Sequence, residues 1–270
     1  GRDYLETVIE VARKLDVPVH TMIRLGRNVA ESVRKTAAEN ASDLIVIGWP
    51  GTTNSAGRVF GSVIDPIVDN PPSDVAVVRY RQYRPLKSIL VPVAGGPNSR
   101  RSAQLAVTMA SGEPAEMQTR IVLFSVVPCR VREGAKVRMQ KEIQNLAAEV
   151  DYPYVEVKFT ESDNTVESIV DESAAHDLVI IGAGGEPLFQ NILVTTIPEQ
   201  VARQAGVTVI MVKRRSGTVH RWLRQTVLEP STGASVKRDN GSRRRRNHAN
   251  LPHGDGDQAS FRSQEPTLLN

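Results

Sequence analysis

The 270-residue chain has one cysteine, few aromatics (4%) and no apolar run long enough to cross a bilayer. A lone thiol, Cys129, excludes an intramolecular disulfide framework and any thiolate-cluster metal site, and it fits a reducing compartment. A membrane span needs about 18 consecutive apolar residues, and none is present. A secretory leader pattern is also missing from the first residues. The five histidines are scattered, without a ligand-like spacing, so no metal site is expected from them. Neither Gly-x4-Gly-Lys-(Ser/Thr) nor the kinase loop motifs occur, which removes the common phosphoryl-transfer machinery and leaves no catalytic residue to nominate. Excess charge of one sign is confined to the end of the chain. Of 34 Lys+Arg and 30 Asp+Glu, residues 214–270 hold 11 and 5, a net +6, while residues 1–213 carry −2. A basic globular body of the kind that binds nucleic acid specifically is therefore not expected.

What the sequence does contain is a repeat. Asp43-Leu44-Ile45-Val46-Ile47-Gly48 returns as Asp177-Leu178-Val179-Ile180-Ile181-Gly182, an offset of 134 that also carries Val75–Val78 onto Val209–Val212. This is a duplicated domain rather than a short-period solenoid. In the second copy, strands are predicted at Ser88–Val93, Arg120–Val127, Tyr154–Thr160, Leu178–Gly182 and Val207–Val212. Helices are predicted at about 98–111, 132–150 and 165–175, and from Thr196. Alternating strands and helices with continuous apolar runs predict a parallel sheet covered on both faces.

The first copy begins directly with a helix (about 3–15). A strand (Val17–Arg24), a helix (28–39), a strand (Asp43–Gly48), a helix (61–69) and a strand (Asp74–Arg79) are expected to follow. Two strands and one helix of the second copy have no counterpart. The chain also opens Gly1-Arg2-Asp3 without an initiator Met, so the front of the first domain is expected upstream of Gly1. The organisation expected is an incomplete first domain at 1–80, a second domain at 86–213, an amphipathic helix at 214–229 and a disordered basic tail at 230–270. In that tail, Arg243–Arg246 form a charge run able to meet anionic lipid or nucleic acid nonspecifically.

One motif carries chemistry. Gly48, Gly51, Gly61 and Ser62 are spaced Gly-x2-Gly-x9-Gly-Ser between a buried strand and a helix. Glycines let backbone approach phosphate oxygens, and the N–H groups around Ser62 and Val63 at a helix start favour an anion. In open α/β sheets ligands sit beyond the carboxyl ends of the strands, where this loop lies. Trp49 and Phe60 flank the loop as packing residues or a nucleotide cover. Arg58 is the one cation within it. Asp65 and Asp69 stand one helical turn apart beyond it, more as dipole complements than as Mg2+ ligands.

On these residues the chain resembles a tandem universal stress protein. That family's domains are five-stranded, Rossmann-like α/β folds of the adenine nucleotide alpha hydrolase-like type, with strand order 3-2-1-4-5. The resemblance implies ATP binding, with AMP or ADP as alternatives and Mg2+ left open, and phosphates contacting Gly48, Gly51, Gly61, Ser62 and Val63. It implies a regulatory or stress-response module without strong catalysis, cytoplasmic or on the cytosolic face of a membrane protein. Its terminal strands are expected to pair, within the chain or in a homodimer. The second copy departs from the pattern: Thr195-Thr196 replace Gly-Ser, and Pro92-Val93-Ala94-Gly95-Gly96 lacks the family's Asp. It is therefore expected to be a structural partner. The segment Thr218–Glu229 also resembles tails that follow such domains behind amino-acid permeases. Two alternatives follow: a cytosolic regulatory domain of a membrane transporter, and a slow ATPase.

Overall fold

The computed structural model describes residues 2–53, 58–183 and 196–215. The expectations for Thr218–Glu229 and for the tail with Arg243–Arg246 lie outside the described residues. In chain order the elements are α1 (Arg2–Lys14), α2 (Val29–Glu39), β1 (Leu44–Gly48), α3 (Ile64–Asp69) and β2 (Asp74–Arg79). They continue with β3 (Ser88–Pro92), α4 (Gly96–Ser111), β4 (Arg120–Val127), α5 (Glu133–Glu149), β5 (Val155–Glu161), α6 (Thr165–Ser173), β6 (Leu178–Gly182), α7 (Ile197–Gln204) and β7 (Thr208–Lys213). A short 3-10 turn at Ala115–Met117 was not expected.

The described strands form one seven-stranded sheet of order β1-β2-β7-β6-β3-β4-β5. Within the second copy this is the expected order 3-2-1-4-5, all parallel. Central strand β3 is buried at every position, whereas edge strand β5 alternates between partly buried and exposed residues. That contrast follows from helices covering both faces only at the middle of the sheet.

The two copies meet where β2 pairs antiparallel with β7, in the register Ala76↔Val212, Val77↔Met211 and Val78↔Ile210. Val77 and Met211 are themselves related by the 134-residue offset, so the repeat's pseudo-twofold axis passes through this pair. The pairing expected of the terminal strands occurs within the chain, and each strand satisfies an edge the other would expose.

On one face, α2, α3, α6 and α7 cover a core that includes Ile67, Val75, Val201, Val209 and Met211. On the other, α4 and α5 cover Ile89, Val91, Ile121, Leu123 and Ile180. That second covering stops short of β1, where Val46 is 64% exposed.

The strand expected at Val17–Arg24 does not form. The segment lies outside any sheet, with Val17, Val19, Met22 and Ile23 exposed. A strand requires a neighbour for its N–H and C=O groups. Among the described strands none lies beside this segment, and β1 pairs only with β2. The helix expected at 61–69 is also shorter, because Gly61 (φ 108°) and the turn at Ser62–Val63 precede its start at Ile64.

Candidate functional site

The glycine loop leaves the carboxyl end of β1 and returns into α3, with residues 54–57 outside the described set. Two of its glycines need their freedom. Gly51 has φ 87° and Gly61 has φ 108°, a region that L side chains rarely occupy. A Cβ at Gly51 would also overlap the Arg79 guanidinium.

The loop is braced from three directions. Trp49 donates its backbone N–H to Val78 O at 2.8 Å, tying the loop's first residue to β2. Its indole is 3% exposed and meets Phe60 edge-to-face at 5.2 Å, so both aromatics are packing residues. The Asp65 carboxylate accepts the N–H groups of Val59 (3.1 Å) and Phe60 (2.8 Å). Both oxygens are thereby engaged with the loop's own backbone, which is a bracing role. Thr53 Oγ1 donates to Val59 O at 2.7 Å.

The third brace comes from the other copy. Arg203 of α7 donates to Gly51 O at 3.1 Å and to Val59 O at 3.4 Å, and its guanidinium lies 5.0 Å from the centre of the Trp49 ring. Sequence reasoning missed Arg203 and Arg79, which stand 152 and 28 residues from Gly51, because no local spacing marks them. Arg58, the cation it did single out, is exposed. Burial and the neighbouring Arg81 lower the Arg79 pKa from its ordinary value. Arg79 Nε and Trp49 Nε1 are buried without an acceptor among the described residues.

Of the predicted phosphate-contacting groups, Gly48, Gly51, Gly61, Ser62 and Val63 all belong to this one loop. Ser62 and Val63 are exposed, and neither the Ser62 hydroxyl nor either N–H has a partner among the described residues. These donors fit the phosphate part of a nucleotide. In the second copy Ala94 stands where the resemblance leads one to expect an Asp.

The corresponding segment of the second copy is described only up to Ala183 and again from Thr196. Gly185 and Thr195 lie outside the described residues. Thr196, the equivalent of Ser62, caps α7: its hydroxyl accepts the Glu199 N–H, while Glu199 Oε2 accepts the Thr196 N–H at 3.1 Å. That capping box occupies the hydroxyl that is left open in the first copy. Burial raises the Glu199 pKa above the ordinary carboxylate value; its hydrogen bonds with Thr196 and the nearby Arg203 oppose the shift, and Asp65 adds to it. Gly182 is closed off by α4, since a Cβ there would stand 2.9 Å from Asn98 backbone atoms. A cavity of about 470 Å3 remains at the ends of β3 and β6, walled mainly by apolar groups such as Val93, Phe124 and Ile181.

Away from the loop, His176 has a structural partner. His176 is buried with Nδ1 2.7 Å from Ser88 Oγ, and burial lowers its pKa. Cys129 is exposed. No described helix is long and apolar enough to cross a membrane.

The universal stress protein family model matches residues 2–79 and again 85–213. Among curated proteins, the Na+/H+ antiporter NhaS5 of Synechocystis sp. is 25% identical over 214 residues. That match covers 77% of this chain and 30% of the antiporter, so the chain spans less than a third of that relative. Among solved structures, a universal stress protein of Archaeoglobus fulgidus aligns with TM-score 0.52 and 18% identity, covering 80% of this chain and 77% of that one. A candidate universal stress protein of Pseudomonas aeruginosa aligns with TM-score 0.54 and 13% identity, covering 79% and 78%. At these identities the two structures support the fold alone.

Proposed function

This chain belongs to the universal stress protein family, and we propose that it is a regulatory module that binds an adenine nucleotide through the glycine loop of its first copy. ATP is the ligand we favour, with AMP or ADP as its relatives. The backbone N–H groups of Ser62 and Val63 and the Ser62 hydroxyl receive the phosphates, and Gly48, Gly51 and Gly61 let the chain approach them. The second copy, residues 86–213, is the structural partner of the first, residues 1–80. The observation that carries this reading is the contrast at equivalent positions: Ser62 keeps an exposed, unengaged hydroxyl, whereas Thr196 spends its own on capping α7.

The carboxylate beside the loop, Asp65, is held by the N–H groups of Val59 and Phe60, which supports sensing rather than catalysis. The similarity to part of a Na+/H+ antiporter supports a second element of the reading: the module sits in the cytoplasm as the regulatory region of a membrane transporter.

Calorimetric titration of ATP tests the binding, with Gly61→Val alongside. The expected outcome is saturable heat that the variant abolishes, because a β-branched residue disfavours φ near 108°. Equal heat from both proteins, or none from either, refutes the loop assignment.

A further inference from the structure

The antiparallel pairing of β2 with β7 leaves a cleft of about 750 Å3 between the copies, where β2 begins and β7 ends. The first copy contributes Asp43, Ser73 and Asp74. The second contributes Arg100 and Arg101 from the first turns of α4, and Arg214 and Arg215 just beyond β7. None of the lining residues belongs to the glycine loop, so this cleft is a separate place in the molecule.

Four arginines and two aspartates thus line the cleft. Asp74 is fully engaged: Oδ2 pairs with Arg101 Nε at 2.5 Å, and Oδ1 accepts the Arg215 backbone N–H at 2.8 Å. This carboxylate therefore organises the wall, holding one arginine and fixing the direction in which the chain leaves β7. Arg100 pairs with Glu149, which does not line the cleft. Arg214 and Arg215 are exposed, and their side chains have no ion-pair partner among the described residues. The 16-residue helix α4 adds the positive end of its dipole. Ser73 is 5% exposed, lines the same wall, and its Oγ has no hydrogen-bond partner among the described residues. A buried hydroxyl without a partner is destabilising, and none of the described residues supplies one.

We propose that this seam between the copies is a second anion site, which takes a compact ligand carrying two or more phosphate groups. Arginine forks match phosphate oxygens bidentately, and the volume lies within the roughly 300–1,000 Å3 of small-ligand sites. Asp43 limits the excess of positive charge in the wall, which suits a small di- or trianion better than an extended polyanion. The ligand is either a free polyphosphorylated molecule or a phosphorylated lipid headgroup. The site exists only because both copies are present, so its occupancy reports on how they are joined.

Titration of inorganic tripolyphosphate into the full chain tests this, with the variants Arg214→Gln/Arg215→Gln and Gly61→Val alongside. Both arginines are exposed and follow the last strand, so their replacement leaves the fold intact, which thermal unfolding verifies. The expected result is a saturable binding step that weakens about tenfold or more in the double variant and persists in Gly61→Val, where any separate step contributed by the glycine loop is lost. Co-sedimentation with phosphatidylcholine vesicles carrying phosphatidylinositol bisphosphate identifies the source. Sedimentation lost in the double variant assigns a headgroup, and binding of soluble tripolyphosphate alone assigns a free ligand. Absence of saturable binding, binding that ignores the double variant, or loss of all binding in Gly61→Val overturns the proposal. ATP binding to the glycine loop fails or stands separately, through its own titration.

Discussion

Replacing Arg203 by alanine tests whether the second copy holds the glycine loop of the first. The residue makes one well-formed bond to Gly51 O, a longer one to Val59 O, and a cation–π contact with Trp49. The bond to Gly51 is partly buried and donated by a charged group, worth about 1.5 kcal/mol. The exposed 3.4 Å bond adds little. A cation–π contact of this kind is worth about 0.5–1 kcal/mol. Arg203→Ala should therefore destabilise the protein by about 2 kcal/mol in urea unfolding, without a change of m-value. Trp49 is buried beneath the guanidinium, so hydrogen exchange at the Trp49 amide should accelerate more than exchange in β3, whose protection follows global unfolding. Arg203→Lys keeps the charge but loses the fork, and should recover roughly half the loss. A cost below about 0.5 kcal/mol, or unaltered Trp49 exchange, would show that the loop stands without its neighbour and would refute the bracing argument.

Three further outcomes follow from the same geometry. Ile67 is fully buried between α3 and the sheet, so Ile67→Ala should cost about 2–5 kcal/mol in chemical denaturation. Gly51→Ala introduces a Cβ at φ 87° against the Arg79 guanidinium. It should cost about 1–3 kcal/mol and shift the environment of Trp49, read by its fluorescence. Glu199 is buried with a raised pKa. Its stabilising contribution is therefore complete below the unfolded-state carboxylate pKa, near 4.5, and is lost as pH rises through the folded value. Glu199→Gln should flatten this part of the stability–pH curve, measured by thermal unfolding across the acidic range, while an unchanged slope would place the titration elsewhere.

Much of the fold was legible because the signals were local or repeated. The continuous apolar run at Ser88–Val93 marks a strand buried on both faces, and the Asp43–Gly48 and Asp177–Gly182 repeat marks the duplication. The spacing of Gly48, Gly51, Gly61 and Ser62 brought those residues into one loop with the required positive φ values at Gly51 and Gly61. Periodicity and glycine spacing act over a few residues, which is the range at which backbone sterics and burial patterns are written into a chain.

The rest depended on neighbours. Val17–Arg24 has the composition of a strand and fails to become one, since strand formation is a pairing and no described strand lies beside it. Trp49 reads as a packing residue or a nucleotide cover, and its enclosure by Phe60 and Arg203 decides for packing. Asp65 reads as a helix-start acid and braces two N–H groups of the preceding loop. The sequence by itself determined the seven strands that form, the duplication and the glycine loop, all written in short local patterns. Only the tertiary structure decided that Arg203 of one copy clamps the loop of the other, and that Asp74, Arg101, Arg214 and Arg215 enclose a common cleft. Those contacts join residues up to 152 positions apart and arise from the β2–β7 register, which no local pattern encodes.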